Sequence, residues 1–313
     1  LSAPHAITIG SFDGVHVGHR ALVARARALA GPAGRVTALV FDPHPATLLR
    51  PQETPARLTT FDRRAVLLRE AGADHVERLV PTAELLAQPA EMFVEWIGRA
   101  FAPSAIVEGP DFRFGKGRAG NILLLESLGA AAGFRTDVVP PVEVVLTDHT
   151  VAPASSTLVR WLLAEGRVRD AAIVLGRPYQ LDAVVERGDR RGRTIGFPTA
   201  NLRTDCLIPA DGIYACEGVL PDGRAFAAGV HVGPRETFDD RARVVEAHLI
   251  GPGRDAERIA GLPEYGWEIS LRFIAWLRDP ARFESVDHLV ERMHLDCRRA
   301  ADIIARHPQE TPA

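Results

Sequence analysis

Through the first half of the chain, short apolar runs alternate with stretches whose apolar residues recur at helical spacing. Ala6–Ile9, Val36–Phe41, His75–Val80 and Ala105–Val107 are predicted as buried strands, and Arg20–Ala30, Phe61–Ala71, Ala90–Phe101 and Asn121–Ala132 as helices between them. Repeated strand-then-helix units imply a parallel sheet covered on both faces, with ligands beyond the carboxyl ends of its strands. After Leu175 the texture changes: glycine-rich turns separate short alternating segments at Tyr179–Glu186, Gly212–Val219, Ala225–Val232, Val244–Ile250 and Trp267–Leu277. These predict a small antiparallel β-barrel. A last helix is expected from about Ser285 to Arg306, with a frayed tail beyond it. Two domains follow, 1–175 and 176–313.

Composition narrows the class. The 313 residues are 46% hydrophobic and 25% charged, with a formal net charge of −3, so any basic site is local and bulk nucleic-acid binding is not expected. Three cysteines without C-x-x-C spacing argue against a disulfide framework or a zinc site, and point to the reducing cytoplasm. No apolar stretch reaches the ~18 residues of a membrane span. The start, Leu1-Ser2-Ala3-Pro4-His5, does not read as a signal peptide, and the lack of an initiator Met reads as a trimmed sequence.

Gly10-Ser11-Phe12-Asp13-Gly14-Val15-His16-Val17-Gly18-His19 links the first strand to the first helix. A glycine-flanked turn there presents backbone N–H groups and two imidazoles at a helix N-terminus, where phosphate is favoured. His16 and His19 are three residues apart and project to one side. Ordinary polar residues at a helix start remain an alternative; metal ligation lacks a third ligand nearby. Phe41-Asp42-Pro43-His44-Pro45 closes the second strand, its prolines stiffening the turn that holds His44. Glu108-Gly109-Pro110-Asp111-Phe112-Arg113-Phe114-Gly115 combines aromatic faces, a guanidinium and a carboxylate able to stack on and hydrogen-bond a planar heterocycle, with Lys116 and Arg118 available to phosphate. Ser155, Ser156 and Thr157 precede Arg160 at the start of a further helix. They serve equally as caps or as a triphosphate grip, since both uses share one geometry.

Gly10–His19, Phe41–Pro45, Asp111–Gly115 and Ser155–Arg160, in this order, resemble the adenylyltransferase module of the prokaryotic bifunctional riboflavin kinase/FAD synthetase family. The resemblance implies that His16, His19, Ser156, Thr157 and Arg160 hold ATP phosphates, with Gly10, Phe12, Asp13, Gly14, Gly18 and Ser155 completing the cradle. It places Asp111 and Phe112 by the flavin, and His44, Arg113 and Phe114 are expected there with them. The reaction implied is attack by the FMN phosphate on the α-phosphorus of Mg²⁺-bound ATP, for which positioning and charge neutralisation suffice.

In the second half, Gly188, Gly192 and Gly196 are spaced by four among arginines that include Arg193. Such a loop either cradles phosphate or is a solvated hairpin. Thr199 and Asn201 lie two apart in an extended Pro-Thr-Ala-Asn segment, so both offer oxygens to Mg²⁺ from one face. This stretch, with Leu207–Ala215, Val245–Leu249 and Leu277–Phe283, resembles the same family's riboflavin kinase module. The resemblance implies that Glu246 is the base for the ribityl hydroxyl and that Arg278 is a flavin contact; otherwise Glu246 reads as an outward residue of an alternating strand. Two departures stand out. His231-Val232-Gly233-Pro234-Arg235-Glu236-Thr237-Phe238 stands where the family usually has Asn-Ile-Gly then Arg-Pro-Thr-Phe, replacing the usual Asn and Pro, and Gly251–Gly266 replaces its Asp-Leu-Tyr-Gly flap.

The expected activity is phosphorylation of riboflavin to FMN and adenylylation of FMN to FAD, with ATP, riboflavin, FMN and FAD as the small-molecule partners and neither membrane nor nucleic acid involved. Alternatives are an adenylyltransferase whose kinase is weakened or retuned to another flavin-like alcohol, and a non-enzymatic flavin-binding regulator.

Overall fold

A computed structural model describes residues 3–188, 196–234, 243–251 and 263–307. The chain divides into two compact units. One comprises Leu1–Ala56, Thr60–Val145 and Thr150–Ser156, the other Arg57–Thr59, Leu146–His149 and Thr157–Ala313.

The first unit is built on a five-stranded sheet, ordered β3-β2-β1-β4-β5. Its strands are β1 His5–Gly10, β2 Arg35–Phe41, β3 His75–Leu79, β4 Ala105–Glu108 and β5 Arg135–Val138. All pairs are parallel. Strand order reverses between β1 and β4, which is where such sheets open a ligand crevice. One face carries α1 (Val17–Ala30) and, beyond the four-residue α2 (Ala46–Leu49), α3 (Phe61–Glu70). Val23, Ala26 and Leu68 of these helices pack there with Ala6, Val36, Ala38 and Val40. After the short α4 (Ala83–Ala87), α5 (Ala90–Phe101) and α6 (Ile122–Ala132) cover the other face. Phe93, Val94, Ile97 and Leu125 meet Ile7, Ile9, Leu39 and Ile106 on that side. Asn121, the expected first residue of α6, is instead its cap, its side chain accepting from the Leu124 amide at 3.0 Å.

A two-stranded hairpin, β6 (Glu143–Val145) with β7 (Val151–Pro153), precedes α7 (Ser156–Ala164) and α8 (Val168–Leu175). The second unit is a closed barrel ordered β10-β11-β12-β9-β8-β13. Its strands are β8 Tyr179–Glu186, β9 Ala200–Arg203, β10 Gly212–Val219, β11 Ala225–Pro234, β12 Arg243–Ile250 and β13 Glu268–Arg278. Tyr179, Tyr214 and Phe273 are fully buried, with Phe273 tilted against Tyr179 and edge-on to Tyr214. The final helix α9 (Val286–Arg306), capped by Ser285, buries Ala300 against Ala215, Ala275 and Leu277. The expected textural boundary at 175/176 falls inside this second unit, because α8 packs on β8 and β13. Among the described residues no helix is long and apolar enough to cross a membrane.

Candidate active sites

In the first unit, Gly10 to His19 leave β1 at the strand-order reversal. The turn is tight enough that Phe12 and Val15 take positive φ values, 47° and 42°, beside Gly14 at 82°. A left-handed β-branched residue costs on the order of 1–3 kcal/mol and persists only when its surroundings hold it. Both side chains are buried to 1% exposure in the core beneath. Asp13 and His16 are themselves buried. His16 caps α1, its Nδ1 facing the His19 amide at 3.4 Å, and the two imidazoles stack with centroids 3.6 Å apart. The Phe12 ring meets His19 edge-on at 5.1 Å. A Cβ on Gly18 would lie 3.1 Å from the His16 ring, so glycine lets the stack form. The Ser156 hydroxyl donates to the Asp13 carbonyl at 2.7 Å. The serine singled out as cap or phosphate ligand thus ties its own segment to the turn. Thr157 and Arg160 belong to the second unit.

Arg64 of α3, only 3% exposed, donates Nη1 to the Ser11 carbonyl at 2.7 Å and Nη2 to the Asp42 carboxylate. It joins the Gly10–His19 turn to the loop after β2, where His44 Nδ1 accepts from the Ala46 amide at 3.1 Å. Sequence reasoning missed Arg64, since an arginine on an amphipathic helix ordinarily reads as solvent-facing. At the end of β4, Glu108 is buried and its Oε1 accepts from the Ile9 amide at 2.6 Å. Burial pushes its carboxyl well above the ordinary Glu value, with the Ile9 hydrogen bond opposing. Asp111 and Arg113 are exposed, and Arg113 Nη1 donates to the Phe112 carbonyl at 2.9 Å. Phe112 is half-buried over Phe114, centroids 5.5 Å apart. Phe114 is 5% exposed and packs on Phe93, which makes it part of the core supporting Phe112.

On the barrel, Val245 and Ala247 point inward, leaving Glu246 between them half-buried on the outer face. Strand pairing sets Glu246 opposite Asn201 on β9 and opposite His231 on β11. The sequence-predicted base and metal ligand therefore adjoin. Gly188 completes this arrangement: any Cβ there would overlap the Asn201 carboxamide. His248 Nδ1 holds the Pro198 carbonyl at 2.9 Å, and the Phe197 ring is flanked by His248 and by His294 of α9. These contacts fix the Pro198–Asn201 segment. Gly196 takes φ 80° just before it. Gly192, Arg193 and residues 252–262 of the replaced flap lie outside the described residues. Arg278 is engaged by α9, its Nε donating to Asp296 Oδ2 at 2.8 Å. A groove of about 560 Å³ runs beside α9, lined by Phe283, His288, Glu291, Arg292, His294, Leu295 and Arg298, and was not foreseen from sequence. Among the described residues no group of three or more His, Cys, Asp or Glu residues is arranged to hold a metal ion. The hydroxyl and carboxamide of Thr199 and Asn201 nevertheless suit a hard cation that takes further oxygens from phosphate.

Comparison with known proteins agrees with this division of chemistry. The FAD synthetase family matches residues 2–152 and the riboflavin kinase family residues 175–304. The bifunctional riboflavin kinase/FMN adenylyltransferase of Escherichia coli K12 is 34% identical over 93% of this chain and 90% of its own length. That of Listeria monocytogenes is 32% identical over 93% and 89%. A crystal structure described as a macrolide-efflux protein of Streptococcus pneumoniae superposes with a TM-score of 0.83 at 26% identity, covering 96% of this chain and 95% of the other. That description belongs to the pneumococcal protein, and the likeness is one of fold. With both catalytic modules matched in order and relatives aligned almost end to end, the chain belongs to the bifunctional riboflavin kinase/FMN adenylyltransferase family.

Proposed function

We propose that the two activities of this family divide between residues 1–175 and 176–313, and that the residues singled out above carry them. The strained, pre-set Gly10–His19 turn with its stacked imidazoles is the observation that carries the adenylyl-transfer assignment. His16 and His19 neutralise charge developing on the ATP phosphates, with the Gly14 and Gly18 backbone close by. Thr157 and Arg160 keep the triphosphate role on the strength of the resemblance. Asp111, Phe112 and His44 receive FMN, whose phosphate is already ionised and needs no base. Charge-directed donors of this kind each contribute roughly 10²–10³ in rate.

In the barrel, Glu246 takes the proton of the ribityl hydroxyl as that oxygen attacks the γ-phosphorus; an alcohol, unlike a phosphate, gains from such a base. Thr199 and Asn201 would hold Mg²⁺, which supplies charge neutralisation at the triphosphate when bound. Gly188 leaves the room this carboxamide requires. Arg278 acts from its anchorage on Asp296. A cytoplasmic location fits the cysteine content.

Purified protein incubated with riboflavin and MgATP should yield FMN and then FAD on chromatography. Supplying FMN separately isolates the first module. FAD from FMN with untouched riboflavin would reject the kinase assignment, and no flavin product from either would reject both.

A further inference from the structure

His231 stands directly across the β11–β12 pair from Glu246, with its Nδ1 3.8 Å from Glu246 Oε2. Directly opposed residues on one face of a sheet have their Cβ atoms about 4.5–5.5 Å apart, so the juxtaposition is fixed by strand register and does not depend on long flexible side chains. The ring is also seated on its own strand. A Cβ on Gly233 would lie 2.8 Å from His231 Nε2 and 3.2 Å from its Cε1, so the glycine is the floor on which the imidazole rests. Both side chains are about one third exposed, at 35% and 36%, leaving room for substrate above them. On the other side of Glu246, Asn201 completes a three-residue row across β11, β12 and β9.

We propose that His231 is a positioning residue for riboflavin phosphorylation, one that holds the Glu246 carboxylate in the orientation it needs as base. The inference rests on the reading of Glu246 as the base. In the step concerned, the primary alcohol gives its proton to Glu246, its oxygen bonds to the γ-phosphorus, and the bond from that phosphorus to the bridging oxygen breaks. ADP leaves with the electron pair. A carboxylate on an exposed strand face swings through several rotamers, only some of which point at the alcohol. A ring pinned by Gly233, its Nδ1 facing the carboxylate at 3.8 Å, disfavours the others, and this favours the transition state more than ground-state binding.

The test compares both half-reactions of the full-length protein. His231→Phe keeps the ring and loses the donor; it should lower kcat for riboflavin phosphorylation at least about tenfold, with KM for riboflavin and for ATP nearly unchanged. FAD formation from supplied FMN should be unaffected, which reports an intact chain. His231→Gln, which restores a donor, should recover most of the loss. In a Glu246→Gln background, His231→Phe should add nothing. Wild-type kcat in His231→Phe, a change confined to KM, equal loss in both half-reactions, or full additivity with Glu246→Gln would each overturn the proposal. Full kinase activity in Glu246→Gln alone would instead sink the assignment of the base itself.

Discussion

The guanidinium of Arg64 and the carboxylate of Asp42 form a buried ion pair, with side chains 4% and 8% exposed, under the mouth of the first sheet. Removing one partner of such a pair leaves an uncompensated charge, at a cost of about 3–5 kcal/mol. Arg64→Met should therefore lower the unfolding free energy of the first unit by that amount and weaken adenylyl transfer, while riboflavin phosphorylation persists. Arg64→Met combined with Asp42→Leu should regain much of the stability. It should not regain the transfer rate, because the bond to the Ser11 carbonyl is still missing. Chemical denaturation and FAD formation from FMN report the two effects separately.

His16→Ala with His19→Ala should reduce FAD formation by two or more orders of magnitude, with circular dichroism unchanged and FMN still produced from riboflavin. Comparable losses in both reactions would speak against a local role for the pair.

Gly188→Ala places a methyl group where the Asn201 carboxamide lies. The carboxamide must turn away from its neighbour Glu246, so the KM for MgATP in riboflavin phosphorylation should rise severalfold. Adenylyl transfer, measured with FMN, serves as the internal standard.

Glu108 gives a pH signature. Its carboxyl is held well above the ordinary value of 4.5 by burial, so the unfolded chain releases this proton at a lower pH than the folded one. Its contribution to stability is complete below that ordinary value and declines as pH rises toward the folded pKa. Thermal melting followed against pH should show Glu108→Gln gaining on the parent protein as pH increases; parallel curves would contradict the shift.

Much of this was legible in the sequence, and the exceptions have physical causes. The strand Tyr179–Glu186 and the helix Ala90–Phe101 have the bounds expected, because their apolar periods are unbroken and their ends are marked by Gly or Pro; Gly212–Val219 also has the expected bounds, though it buries Tyr214, Ala215 and Cys216 in a row. β5, Arg135-Thr136-Asp137-Val138, escaped notice as an edge strand with no fully buried residue. α8 is only two turns long, and its Asp170 is held by Arg167 three residues before it and by Thr147, a contact no local pattern announces. Phe112 and Phe114 look alike in sequence, yet one lies half-open and the other is core, a distinction set by the Phe93 contact. The site motifs were readable because each is contiguous. Arg64 with Ser11, and His231 with Glu246, were not, since each pair meets only through packing or strand pairing between distant segments.

Phe12 and Val15 are anchored in the same apolar cluster as Val23, Ala38, Val40 and Leu68, so the backbone tension of the phosphate turn is maintained by side chains remote from any ligand. Thinning that cluster, as in Leu68→Ala, lets the turn relax at temperatures where the sheet still stands. Heat should consequently silence FAD production in such a protein several degrees before the melting transition registers.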